Sequence, residues 1–157
     1  MGPNTQTEEG EMPVAERRAS VVWEGDLLKG HGRVRVGSGA IPEQTVTFRA
    51  RTETPDGQTS PEELIAAAHA ICYAMAFSHA LAQNGTPPER LEVEAVCVLD
   101  RVEGALRITT MRLQVQGRVP GLEASRFADL ARQAEQRCPV SNALRGNVAI
   151  ELSATLV

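Results

Sequence analysis

Aromatic residues are scarce in this 157-residue chain, at 3%: Trp23, Phe48, Tyr73, Phe77 and Phe127. Base-stacking modules need surface aromatics beside a basic patch. A net charge of -4 and a single lysine, Lys29, supply neither. Nucleic acid is therefore not an expected partner. Cysteine is sparse too, and three residues cannot staple a small scaffold together. The first eighteen residues, MGPNTQTEEGEMPVAERR, hold no apolar run and carry mostly acidic charge, so no secretory signal is read there. The default location is then a reducing cytoplasm, where a disulfide is transient and catalytic and not structural. Pro3, Gly10 and Pro13 interrupt any local pattern. Residues 1–15 are expected to be a disordered tail and residues 16–157 a single domain.

What is present is globular in kind, with 42% hydrophobic and 23% charged residues. From Leu64 to Ala82 the only non-apolar residues are His69, Ser78 and His79. That stretch is long enough to span a bilayer. Its alanine-rich composition, its two histidines and its flanks without Lys/Arg bias argue instead for a buried helix, with no membrane partner. The helix start is written as Ser60-Pro61-Glu62-Glu63: an N-cap serine, a first-turn proline and a glutamate three residues after the cap. Asn84-Gly85-Thr86-Pro87-Pro88 stops it. About 23 residues give roughly 35 Å of helix at 1.5 Å per residue. A helix apolar on nearly every face has to be surrounded.

Strands flank it. Ala19–Trp23, Gly32–Val36 and Thr45–Arg51 precede the helix as short β-branched segments. Leu91–Leu99 alternates with period two, and so does Leu106–Val119, whose phase changes near Thr109-Thr110 in the manner of a β-bulge. Glu123–Arg137 reads as an amphipathic helix with Phe127, Leu130, Ala131 and Ala134 on one stripe. A short helical piece follows Cys138-Pro139, and a last strand carries Val148, Ile150, Leu152, Ala154 and Leu156 on one face. The order is that of an α+β fold with antiparallel sheets around a long central apolar helix.

Candidate chemistry lies with the cysteines. Cys97 falls on the inward face of a strand, where free cysteine acts as a small hydrophobe. Cys72 sits mid-helix, three residues after His69 and seven before His79. A Cys–His nucleophile pair and a partial metal site are both conceivable there, as is a packed core histidine. Cys138 directly precedes Pro139, which can open a new helical turn whose dipole favours a thiolate. Glu62 and Glu63 suit the first turn of a helix without further explanation. Arg49 and Arg51 end a predicted strand.

Ser60-Pro-Glu-Glu-Leu-Ile-Ala-Ala-Ala-His-Ala-Ile-Cys72-Tyr-Ala-Met resembles the central-helix motif of the OsmC/Ohr family of thiol peroxidases, and Cys138-Pro-Val-Ser-Asn-Ala-Leu resembles its second cysteine motif. Trp23-Glu-Gly-Asp-Leu, Gly30-His-Gly, Ser38-Gly39 and Val119-Pro-Gly-Leu are similar to further family segments. The likeness runs over roughly residues 19–157. Val140 and His69 resemble the OsmC branch and not the Ohr branch.

The resemblance implies a peroxidase that reduces organic hydroperoxides to alcohols. Cys72 would be the peroxidatic cysteine and Cys138 the resolving one, with a Cys72–Cys138 disulfide as the oxidised product. Glu62 would be the conserved acid. Phe48-Arg-Ala-Arg51 fits the family's Phe-x-x-Arg pattern, which points to Arg51 as the catalytic arginine and leaves Arg49 as the alternative. The implied partners are the hydroperoxide and a dithiol reductant of lipoyl type. No cofactor and no metal are implied.

Helix geometry adds a dimer. Ten residues separate Glu62 from Cys72, about 15 Å along a straight helix, so two antiparallel helices in an intertwined homodimer would build two composite sites. A cysteine hydrolase using Cys72 and His69 remains open as a second class, and a non-enzymatic stress-associated binding module as a third.

Overall fold

The computed structural model describes residues 13–157; the tail expected over 1–15 therefore lies, for residues 1–12, outside the described residues. The chain forms two compact units, one ending at Gln58 and the other running Thr59–Val157.

In the first unit, β1 (Ala19–Glu24), β2 (His31–Val36) and β3 (Gln44–Val46) form an antiparallel sheet in that order. Ala19 pairs with Val36, and Gly32 stands between Trp23 on one side and Val46 on the other. The strand expected over Thr45–Arg51 is corrected here. It ends at Val46, and Phe48–Thr52 forms a short helix, α1. Thr47 causes the switch. Its extended backbone ends the strand, and its hydroxyl oxygen accepts from the Ala50 N–H at 3.1 Å as an N-cap. The same hydroxyl donates to Gln58 Oε1 at 2.8 Å.

The second unit opens with α2 (Pro61–Gln83), bounded as the sequence predicts. Ser60 Oγ accepts from the Glu63 N–H at 3.1 Å, and the Glu63 carboxylate accepts from the Thr59 hydroxyl. β4 (Arg90–Val102) and β5 (Ala105–Arg118) form a long antiparallel hairpin. Its two-residue turn, Glu103-Gly104, takes positive φ at both positions, as a type I′ turn requires. The bulge is where the phase change put it. Thr110 opposes Val98 and Ile108 opposes Leu99, which leaves Thr109 without an opposing residue.

α3 (Ala124–Arg137), α4 (Pro139–Leu144) and β6 (Ala149–Leu156) complete the unit, with β5 central in the sheet. β6 runs parallel to β5, unlike the antiparallel pairing expected throughout. The chain returns through two helices, and such a crossover brings a strand back in its original direction.

Tyr73, Phe77 and Leu81 of α2 meet Leu113 and Val115 of β5 and Phe127, Leu130, Ala131 and Ala134 of α3. The Phe77 ring lies 5.7 Å from Tyr73 and 5.0 Å from Phe127. Complete burial of each such ring stabilises by about 1.5–3 kcal/mol. Gly117 is what lets α3 settle on the sheet, since a Cβ there would stand 2.5 Å from the Phe127 ring.

The expectation that α2 is surrounded is not met by one chain. Its buried residues, Glu62, His69, Tyr73, Phe77 and Leu81, form a single stripe, while Ile71 is 58% and Met75 68% exposed. By length and composition alone α2 is also apolar enough to cross a membrane.

Candidate active site

Cys72 and Cys138 are 66 positions apart in sequence and together in space. Cys72 lies half-buried on α2. Cys138 lies fully buried at the junction where α3 ends and α4 begins. Pro139 makes this junction: it cannot continue α3 but is favourable as the first residue of a new helix. Cys72 packs against the buried cluster that holds Cys138, and both the Cys138 sulfur and the Val140 N–H of α4 lie close enough to bear on its thiol. Burial pushes the Cys72 thiol above its ordinary range, the Val140 N–H works against that, and Cys138 adds to the rise. Two reduced sulfurs so placed are a candidate redox pair.

His69 does not serve as a base to Cys72. It is completely buried one turn earlier on α2, with Nε2 2.7 Å from Ser141 Oγ on α4. Among the described residues its Nδ1 meets no hydrogen-bond partner. His79 is exposed. Among the described residues no three His, Cys, Asp or Glu side chains converge as a metal site would require.

Burial drives the His69 pKa below its ordinary 6.5, and the Glu135 carboxylate opposes this. The unfolded chain thus takes up this proton at a higher pH than the folded one. Stability is complete above about pH 6.5 and falls below it, by at most about 1.4 kcal/mol per pH unit. Urea midpoints measured between pH 7.5 and 5 are expected to fall more steeply for the wild type than for His69→Gln.

Further residues support the pair that sequence reasoning did not single out. Glu135 of α3 is buried and accepts from Arg145 Nη2 at 2.7 Å, which pins the end of α4 to the end of α3. The Tyr73 hydroxyl donates to the Ala131 carbonyl at 3.0 Å; burial, then Glu135 and Cys138, raise its pKa far above the usual phenol range. The signal for Ser141 was its spacing: it follows Cys138 by three, as Cys72 follows His69 by three.

Glu62 is buried at the start of α2, away from Cys72, and the helix between them is continuous. Its carboxylate acts instead on Cys97 of β4, whose thiol is raised first by burial and then by that charge. Both effects disfavour the thiolate at Cys97, which sits on a strand as a packing residue would. Arg51 lies half-buried on α1, whereas Arg49 is exposed and ion-paired with Glu53 at 2.9 Å.

The model of the family described as OsmC-like protein matches residues 54–153. Peroxiredoxin OsmC of Escherichia coli is 37% identical over 135 residues, covering 86% of this chain and 94% of that protein. The organic hydroperoxide resistance protein OhrB of Bacillus subtilis is 29% identical over 123 residues, covering 77% and 87% respectively. The crystal structure of OhrB of Bacillus subtilis superposes with a TM-score of 0.70 at 25% identity, over 88% of this chain and 98% of that one.

Proposed function

The chain belongs to the family of OsmC-like proteins, and on that premise we propose that it reduces organic hydroperoxides to alcohols by cysteine chemistry at Cys72. The relatives named as a peroxiredoxin and as organic hydroperoxide resistance proteins support a peroxide-reducing enzyme with a hydroperoxide substrate and a reductant. The observation that carries the mechanism is the Cys72–Cys138 pair, held within one unit by α2 and the α3–α4 junction.

In the proposed reaction the Cys72 thiolate attacks one peroxide oxygen and the O–O bond breaks. The alcohol leaves, and Cys72 becomes a sulfenic acid. The Cys138 sulfur then attacks the Cys72 sulfur. The S–S bond forms as the S–O bond breaks, and the oxygen departs as water. A dithiol, which we take to be of lipoyl type, restores both thiols through a mixed disulfide. Arg51 favours the thiolate that burial disfavours, and Glu62 orients the guanidinium by a bidentate pair.

The protein is proposed to work in a reducing cytoplasm as a homodimer with composite sites. The open apolar face of α2 around Ile71 and Met75 is what a second copy would cover. Residues 16–157 would act as one functional domain within that dimer.

A single pulse of cumene hydroperoxide on the reduced protein is expected to produce a Cys72–Cys138 disulfide, seen by mass spectrometry of peptides. With a dithiol present, cumene hydroperoxide is expected to be consumed faster than hydrogen peroxide, because Cys72 sits among the apolar side chains of α2. A pulsed protein whose two thiols remain free defeats the mechanism.

A further inference from the structure

We propose that the His69–Ser141 hydrogen bond is a positioning device for the second chemical step, holding Cys138 in register with Cys72 so that disulfide closure outruns overoxidation. The proposal rests on the peroxidase reading above and adds two residues that this reading does not use.

The geometry is a pair of rungs between two helices. On α2, His69 and Cys72 are three residues apart; on α4 and its cap, Cys138 and Ser141 are also three apart. His69 meets Ser141 and Cys72 meets Cys138, so α2 and α4 face each other antiparallel at this point. Three residues are about one helical turn, and the rungs lie about 4.5 Å apart along each axis. A disulfide demands a narrow window of Cα separation and sulfur direction. Rotation or sliding of α4 by part of a turn would move Cys138 out of that window.

α4 cannot hold this position alone. It has six residues, fewer than an isolated helix needs to persist. The Arg145–Glu135 ion pair ties its end to α3, and that bond does not fix its rotation toward α2. The His69–Ser141 bond does, beside the approach of Val140 to Cys72, because both residues are completely buried and the bond is short, at 2.7 Å.

The hydrogen-bond inventory points to function as well as packing. A neutral histidine that donates from Nε2 to Ser141 leaves Nδ1 as an unprotonated acceptor without a partner. An apolar residue could fill this point in the core, but it would not set the angle of α4.

After the first step Cys72 is a sulfenic acid, and two fates compete. In one, the Cys138 sulfur forms the S–S bond and the oxygen leaves as water with the thiol proton. In the other, a second hydroperoxide transfers its oxygen to give the sulfinic acid and a second alcohol. Positioning acts on the first fate alone, so its loss shifts the partition between them.

The test follows both steps in the full-length protein after cumene hydroperoxide is added in excess. Sulfenic acid formation is timed by trapping, and closure and sulfinic acid by mass spectrometry, in the wild type, Ser141→Ala, His69→Gln and Cys138→Ser. Ser141→Ala is expected to close about ten-fold more slowly and to accumulate Cys72 sulfinic acid, with the first step within about two-fold of wild type. Glutamine can place its amide nitrogen near the Nε2 position, so His69→Gln is expected to recover most of the closure rate. Closure at the wild-type rate in Ser141→Ala overturns the proposal. So does an equal slowing of both steps, which is what a purely structural role would give. If the wild type oxidises just as Cys138→Ser does, with no disulfide, it is the peroxidase mechanism itself that has failed.

Discussion

Cys72→Ser is expected to abolish turnover of cumene hydroperoxide, with a loss of at least about a thousand-fold. In the proposed mechanism the attacking species is a thiolate, and a serine hydroxyl at neutral pH offers neither the ionised form nor the polarisable sulfur. The other cysteines cannot substitute. Cys138 is fully buried, and Cys97 has its thiol pushed up by burial and by the Glu62 carboxylate. Cys97→Ser is accordingly expected to keep near wild-type activity. Peroxide consumption with excess dithiol, measured for the three proteins side by side, checks both. Activity retained by Cys72→Ser and lost in His69→Ala would return the site to the other Cys/His reading. The structure already weighs against that reading, because His69 Nε2 is engaged with Ser141.

The parts of the fold that local chemistry dictates were legible in the sequence. Ser60, Pro61 and Asn84-Gly85 bound α2, and the phase change in β5 marked the unpaired Thr109. The stripe of α3 was read correctly but incompletely. Glu135 falls eight residues after Phe127, on the buried face, and its charge disguised it as a surface residue. Residues 47–51 were misread as strand because the cap is made by a hydrogen bond from the Ala50 N–H to the Thr47 hydroxyl, not by a change in hydrophobic period. The parallel pairing of β6 could not be read, since alternation along one strand carries no information about the direction of its neighbour. The two sulfurs were identified as residues, whereas their meeting depends on how α4 turns back at Pro139. Ser141 escaped notice because its three-residue spacing from Cys138 gains meaning only from His69, 72 positions away.

Mixed dimers carrying Cys72→Ser in one protomer and Glu62→Gln in the other are expected to regain roughly half of wild-type activity, although each homodimer is nearly inactive. The argument starts from α2. Its 23 residues run without a break, which leaves Glu62 and Cys72 of one chain about 15 Å apart along the axis. A carboxylate that far away cannot hold a guanidinium at the reacting sulfur, since such a pair works in contact. In the proposed dimer a second α2 running antiparallel would bring the start of its helix, and with it Glu62, to the level of Cys72. In the mixed dimer one site then combines the intact Glu62 of the first protomer with the intact Cys72 of the second. The other site collects both substitutions. Glu62→Gln homodimers should lose on the order of a hundred-fold, because the neutral amide keeps the shape and loses the charge pairing. Dual-tag purification of the mixed species and a consumption assay give the result directly. If each site used residues of one chain alone, the mixed dimer could do no better than the Glu62→Gln homodimer. The recovered half is therefore the signature of a site shared across the two-fold axis.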